Sequence, residues 1–303
     1  RESTMQLTPV PSSPRLALVL GSGGVRGASA IGVVAVLSRA GLRPDLLVGC
    51  SSGAVFGAGL ALGLPTDELM RLVTTLWSQE LTQQRHWHAY AQLLAPKLAR
   101  FDQDFSLRSE RPIVARLEQA FGDLQLEDLR LPLRVAATVA ATGAPVVLAR
   151  GSVVRAVQAS MAVPFLLPSV DVDGQRLVDG ALSDPLPVAA ASDALVVLAL
   201  GFRGDMPRSL KRPASLVAQV STSLINNLAE ARLAAAISSR LTATGHDDHN
   251  DALTARIAQL FTAADATEPL ESMWTLADTC VFVRAQARGQ YNTVYELVEY
   301  RSS

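Results

Sequence analysis

Histidine is scarce in this chain: four in 303 residues, at positions 86, 88, 246 and 249. None sits in a loop that follows an apolar strand, where a Ser-His-Asp triad would place its base. Cysteine is scarcer still, at two, Cys50 and Cys280. No disulfide framework can be built from that number, and a reducing compartment is the expectation. Neither sign of charge is in excess: 27 Lys and Arg stand against 28 Asp and Glu. With no basic surplus to neutralise phosphates, a nucleic-acid partner is excluded. A long uninterrupted apolar run is also missing. The most apolar stretch, residues 46–64, is broken by serines, a cysteine and glycines, and its first residues read as a strand. A membrane-spanning reading fails there. Near the start no positively charged stretch precedes an apolar one, so no signal peptide is expected. Arg1 to Thr4 reads as a tag remnant before a native Met5, and residues 6–14 as a loose lead-in rich in Pro, Ser and Thr. A cytoplasmic location is the resulting expectation.

What is present is apolar residues in quantity, 49% of the chain, which is ample for a buried core. Leu16 to Leu20 is a continuous apolar run ending at Gly21, and reads as a buried parallel strand. A helix is expected over Ala28 to Ala40, with Ile31, Val34 and Leu37 at helical spacing and Gly41 as its stop. Leu42 to Val48 reads as a second strand, and another helix follows from about Ala54. Strand, glycine loop, helix, strand, turn, helix is an α/β order with a mainly parallel sheet.

The second strand runs into Gly49-Cys50-Ser51-Ser52-Gly53. A Gly-x-Ser-x-Gly pentad between a strand and a helix is the context of a nucleophile elbow, where a sharp turn lifts the serine hydroxyl clear of the sheet. The flanking glycines are expected where a Cβ would clash. Ser51 is the candidate nucleophile. The competing reading is a tight turn with a helix-capping serine.

Gly21-Ser22-Gly23-Gly24-Val25-Arg26-Gly27 joins the first strand to its helix. A dinucleotide-binding loop wants glycine at the first, third and sixth places; here the sixth is Arg26. No phosphate-binding Lys-Ser/Thr pattern is present either. What survives is a loop of bare N–H groups at a helix start, which suits an anion. Beside a nucleophilic serine the useful anion is the oxyanion of a tetrahedral intermediate. Gly23 and Gly24 are the candidate donors. Arg26 either braces the loop or meets an anionic group of the substrate.

A serine nucleophile needs a base. With histidine poorly placed, a carboxylate is the alternative, and Asp179 is suited to it. It ends the strand-like Gln175 to Val178 and opens the turn Asp179-Gly180-Ala181. Partial burial there would raise its pKa and improve it as a base; the competing reading is a turn-capping aspartate. Further strands are expected at Leu133 to Thr138, Pro145 to Leu148, Val170 and Ala194 to Leu200. Helices are expected from Thr66, over Ile113 to Phe121 and over Val153 to Met161, with a turn at Asp173-Gly174. Residues 77–105 concentrate Trp77, His86, Trp87, His88, Tyr90, Phe101 and Phe105 in a chain only 5% aromatic. Helical core, a cap over the site, a lipid-facing patch and a His86/His88 metal pair are all readings of that span. No acid or Cys cluster at ligand spacing supports the metal.

These motifs together resemble the patatin-like phospholipases. Gly21 to Gly27 is similar to that family's oxyanion loop, Gly49 to Gly53 to its nucleophile pentad, and Asp179-Gly180-Ala181 to its Asp-Gly-Gly/Ala motif. Val157 to Pro164 and Asp184-Pro185-Leu186-Pro187-Val188 are similar as well, and the likeness covers roughly residues 15–205. Where many bacterial members carry a histidine after the glycine loop, this chain has Ala30. The resemblance implies an α/β three-layer sandwich with a mainly parallel central sheet, and hydrolysis of acyl esters of phospholipids or lysophospholipids. It implies Ser51 as nucleophile, Asp179 as base and the Gly23 and Gly24 amides as oxyanion hole, within a loop framed by Gly21, Arg26 and Gly27. No metal or cofactor is expected. A lipid or ester is the expected substrate, with peripheral contact at the inner membrane and homo-oligomerisation left open. Acyl transfer by the same serine, and an inactive interaction module on the same fold, are the rival functions. The pattern fades beyond residue 205. Residues 206–303 are expected to form a mainly helical extension, with one long helix or two over Pro213 to Thr244 and a strand-like run at Thr279 to Val283.

Overall fold

The computed structural model describes residues 15–76, 105–202, 213–243, 256–257, 260, 280–285 and 294–300. Trp77 to Phe101 of the aromatic span and all four histidines lie outside them, as does the lead-in before Arg15. Among the described residues nine strands form one sheet. Its centre is parallel: β3 (Leu133–Val139), β2 (Leu46–Cys50), β1 (Leu16–Leu20), β7 (Val196–Leu200) and β9 (Val294–Tyr300), side by side in that order. Both flanks are antiparallel. β8 (Cys280–Ala285) pairs with β9, while β4 (Pro145–Leu148) and the hairpin β5 (Val170–Val172) and β6 (Gln175–Asp179) attach to β3. Parallel strands buried on both faces read as unbroken apolar runs, and β1, β2 and β7 are buried at every position.

The two faces of the sheet are covered unequally. Leu16, Leu18 and Leu20 point to one side and pack with α1 (Ser29–Arg39), α2 (Ser52–Leu62), α3 (Thr66–Leu76), α4 (Arg111–Phe121) and α5 (Val153–Ser160). Ala17 and Val19 point to the other, where the cover is the 186–194 segment and Ala236 of α6 (Pro213–Ala243). Three layers result, with the helices concentrated on one face.

Several boundaries differ from the sequence expectation. β2 starts at Leu46, not Leu42, because Asp45 turns its carboxylate onto the N–H groups of Arg15 and Leu16. The helix expected from Ala28 begins at Ser29, after a 3-10 turn over Gly24–Ala28. Gly41 and Gly122 stop α1 and α4 with φ of 70° and 52°, a conformation open to glycine. Pro213–Ala243 is one continuous helix. The C-terminal region is not helical alone: β8 and β9 extend the central sheet.

One feature of this sheet positions the site. Residues 135 and 136 of β3 pair with both β2 and β4; residues 137 and 138 pair with both β4 and β6. β2 and β6 therefore share one edge of β3, running toward each other. β2 ends with Cys50 opposite Ala136, and β6 ends with Asp179 opposite Ala137. The residues that leave these two strand ends must meet.

Candidate active site

Ser51 and Asp179 meet there, 128 residues apart in sequence. The Ser51 hydroxyl donates to Asp179 Oδ2 at 2.8 Å. Ser51 has φ 56° and ψ −121°, backbone angles a side chain seldom adopts. Such strain persists only where the surroundings over-determine it. Here the Ser51 N–H donates to Ser160 Oγ at 2.7 Å, and Ser160 Oγ donates to the Ala136 carbonyl at 2.6 Å. The pentad glycines explain how the chain reaches this turn. A Cβ on Gly53 would lie 2.1 Å from the Leu20 carbonyl oxygen, and one on Gly49 2.6 Å from Ala54 Cα. Both are backbone collisions, so β1 and α2 approach the turn only because these side chains are absent.

Asp179 is 2% exposed. Its other oxygen, Oδ1, accepts from the Ala181 N–H at 2.8 Å, and its own N–H donates to the Ala162 carbonyl. Thr138 Oγ1 donates to the Asp179 carbonyl at 2.8 Å and lies 2.7 Å from Ser183 Oγ. Burial pushes the Asp179 carboxyl up to about 6, against the pull of the Ala181 N–H and the Ser51 hydroxyl. Gly180 lets the chain turn beside it, since a Cβ there would lie 2.5 Å from the Ala136 carbonyl oxygen. Cys50, next to Ser51, is fully buried, and burial together with the charges of Asp179 and Asp184 raises its thiol well above the ordinary value. It is therefore a packing residue.

A cavity of about 530 Å³ opens over the pair. That is within the usual range for small-molecule sites, roughly 300–1,000 Å³. Its walls are mostly apolar: Leu76, Ile113, Met161, Val163, Leu166, Leu167, Leu182 and Phe202. Thr222, Ile225 and Asn226 of α6 complete it, so the C-terminal region helps to build the site. The Arg232 Nε of α6 also donates to the Ser183 carbonyl, behind Asp179. Sequence reasoning missed these contributions, and missed Ser160, Thr138 and Ser183; the text around Ser160 had carried a family likeness but no role.

The glycine loop borders the same cavity through Ser22, Gly23, Gly24 and Arg26. The Gly23 N–H donates to Ser52 Oγ at 3.1 Å. Gly24 has φ 60°, and a Cβ on it would meet nothing within 4 Å. Gly21 sits where β1 ends, its N–H bonded to the Leu200 carbonyl. A Cβ on Gly27 would strike the Phe56 ring. Arg26 braces the loop: its Nε donates to the Gly23 carbonyl at 3.3 Å, and its guanidinium lies 5.5 Å from the centre of the Phe202 ring. Ala30 is buried in the core. No group of His, Cys, Asp and Glu among the described residues could hold a metal ion. No described helix is long and apolar enough to cross a membrane.

A family model described as patatin-like phospholipase matches residues 18–192, more than half of the chain. An uncharacterised NTE family protein of Mycobacterium bovis is 35% identical over 196 residues, which is 64% of this chain and 51% of that protein. Human patatin-like phospholipase domain-containing protein 6 is 32% identical over 199 residues, 64% of this chain but 14% of its own length. The chain thus spans about half the length of the mycobacterial relative and a small part of the mammalian one. Among solved structures, VipD from Legionella pneumophila aligns over 69% of this chain and 52% of its own, at 16% identity and a TM-score of 0.37.

Proposed function

We propose, from the premise that this chain belongs to the patatin-like phospholipase family, that it hydrolyses acyl esters of lipids at Ser51 with Asp179 as its base. The observation that carries this reading is the 2.8 Å hydrogen bond from the Ser51 hydroxyl to a buried carboxylate, at the floor of an apolar cavity. A carboxylate held at about 6 is ionised at neutral pH yet basic enough to take a serine proton in the transition state.

The steps follow from that geometry. Ser51 Oγ attacks the ester carbonyl carbon while its proton passes to Asp179 Oδ2. The carbonyl oxygen becomes an oxyanion facing the glycine loop, where the Gly24 and Gly23 amides are the assigned donors. Gly23 can serve only if its N–H turns from Ser52 Oγ to the oxyanion, so Ser52 holds that donor in readiness. Losing one such donor costs about 2.7–4 kcal/mol. The C–O bond breaks, the alcohol takes the proton from Asp179, and an acyl ester remains on Ser51. Water then attacks the acyl carbon, giving its proton to Asp179, and the fatty acid departs as Ser51 recovers its proton.

The substrate is a lipid ester with its acyl chain in the apolar cavity, a lysophospholipid or similar monoester. The reading places the protein in the cytoplasm, in peripheral contact with lipid. Val163, Leu166 and Leu182, apolar and exposed at the cavity, support that contact, as does the exposed Phe165 next to them in sequence. Turnover of short p-nitrophenyl esters and of lysophospholipids tests the proposal. Free fatty acid should be released by the unaltered chain, and neither substrate should be cleaved by Ser51→Ala. Undiminished cleavage by Ser51→Ala would refute it. Transfer of the acyl group to an added alcohol in preference to water would reassign the same serine to acyl transfer.

A further inference from the structure

Arg108 stands in the wall of the cavity without a counter-charge among the described residues. Its segment is fixed by backbone bonds to the loop after α5, with the Leu107 N–H on the Phe165 carbonyl at 2.8 Å and the Arg108 N–H on the Leu166 carbonyl at 3.1 Å. The side chain is half-buried and lines the cavity beside Ile113, Leu166 and Leu167. Its Nη1 is buried with no hydrogen-bond partner. The nearby Glu110 carboxylate is taken by Gln158 Nε2 at 2.7 Å. Asp179 is held by burial, the Ala181 N–H and the Ser51 hydroxyl, not by a cation. A guanidinium is permanently charged and offers five donors in a fork that matches phosphate. Leaving a buried donor of such a group unpaired is costly, and a buried donor left unsatisfied asks for an absent partner.

The other cation of the cavity, Arg26, is already engaged with the Gly23 carbonyl and the Phe202 ring. A lipid ester brings three parts to this cavity. The carbonyl belongs at Ser51, and the acyl chain at the apolar wall. The third part, the alcohol side, must go where a polar group is tolerated. We propose that Arg108 forms an anion subsite that binds the phosphate on the leaving-group side of the substrate, so that phosphate-bearing monoacyl lipids are preferred to neutral ones. This inference rests on the hydrolase reading above and adds a specificity-determining residue to it.

The test has a binding arm that needs no turnover. Full-length Ser51→Ala is titrated calorimetrically with an uncleavable 1-O-alkylglycerol 3-phosphate, with the matching 1-O-alkylglycerol and with inorganic phosphate. The phosphate ether should bind 10- to 100-fold more tightly than the neutral ether, the range expected of a charge-assisted pair (about 1.4 kcal/mol per tenfold). Adding Arg108→Gln should abolish that preference, and Arg108→Lys should restore part of it. The kinetic arm compares kcat/KM on monoacylglycerol phosphate and monoacylglycerol, where Arg108→Gln should lower the first 10-fold or more beyond any change in the second. Equal affinity for the two ethers, or an equal loss on both substrates, would overturn the subsite while leaving the hydrolase reading intact. Inorganic phosphate binding as tightly as the ether would overturn it in favour of a free-phosphate site. Selective, Arg108-dependent binding without any ester hydrolysis would uphold the subsite and sink the hydrolase reading instead.

Discussion

Two buried aspartates five residues apart are both pushed up by burial and have different surroundings. Burial pushes both Asp179 and Asp184 up to about 6. Asp179 has both oxygens engaged, by Ser51 and by Ala181, and borders the cavity. Asp184 has an oxygen, Oδ1, buried without a partner, and is steadied by the charge of Arg232 and a backbone N–H at Leu186. It does not border the cavity. A perturbed carboxylate is thus a clue to a working site only when a reacting group lies within reach. On the proposed mechanism Asp179 does the chemistry and Asp184 supports the structure behind it.

The sharpest way to break this contrast is to neutralise each in turn. Asp179→Asn should lower kcat on a p-nitrophenyl ester by roughly 10⁴- to 10⁶-fold, the range measured when a base or its partner is removed from a serine hydrolase. Asp184→Asn should lower it less than about tenfold. Comparable losses in the two variants, both folded by circular dichroism, would dissolve the distinction.

Much of the local structure was legible beforehand. β1 and β4 have the bounds expected from their apolar runs, and the elbow serine and the Asp179 turn carry strong local chemistry. What joins Ser51 to Asp179 was not legible from spacing. It is the sharing of one β3 edge by two strands that run head to head, a pairing over more than a hundred residues that no local period encodes. Ser160 escaped notice for the same reason. It lies in the last turn of an ordinary buried helix, and only the fold brings its hydroxyl to the Ser51 N–H. β9 and the cavity-lining face of α6 were missed because both depend on where the C-terminal region returns to the sheet. Gly23 was legible as a candidate donor, but not that its N–H is held by Ser52 Oγ.

The pair also differ in what their charge does to stability and to rate. A carboxyl whose folded value is raised favours the folded state below its unfolded value, and that contribution is lost as pH rises through the folded value. For Asp179 the rise from 3.8 to about 6 amounts to roughly 3 kcal/mol at about 1.36 kcal/mol per pH unit. Asp179→Asn should therefore be more stable than the unaltered chain at pH 8 by up to about that amount. The gain should shrink as pH falls from 6 toward 4. Urea midpoints at the two pH values check this, and a variant less stable at pH 8 would contradict it. Activity runs the other way: kcat/KM should rise with pH and level off above about 6, because the base must be ionised. Asp184→Asn should leave that inflection in place, and its disappearance would make Asp184 the titrating base.

Smaller effects separate the supports of each residue. Ser160→Ala removes the acceptor of the Ser51 N–H and should cost about 1–2 kcal/mol of stability with roughly a tenfold drop in kcat. Arg232→Gln, acting behind Asp184, should shift the midpoint of unfolding by about 1 kcal/mol or less and change kcat least of all. A larger kinetic loss from Arg232→Gln than from Ser160→Ala would show that α6 governs the base through Ser183.

The most direct measurement is the rate of covalent labelling by a fluorophosphonate, with the modified peptide identified by mass spectrometry. A single adduct on Ser51 is expected, absent in Ser51→Ala, slowed by orders of magnitude in Asp179→Asn and close to the unaltered rate in Asp184→Asn. Labelling at another residue, or an Asp179→Asn variant that reacts as fast as the unaltered chain, would contradict the pairing of Ser51 with Asp179.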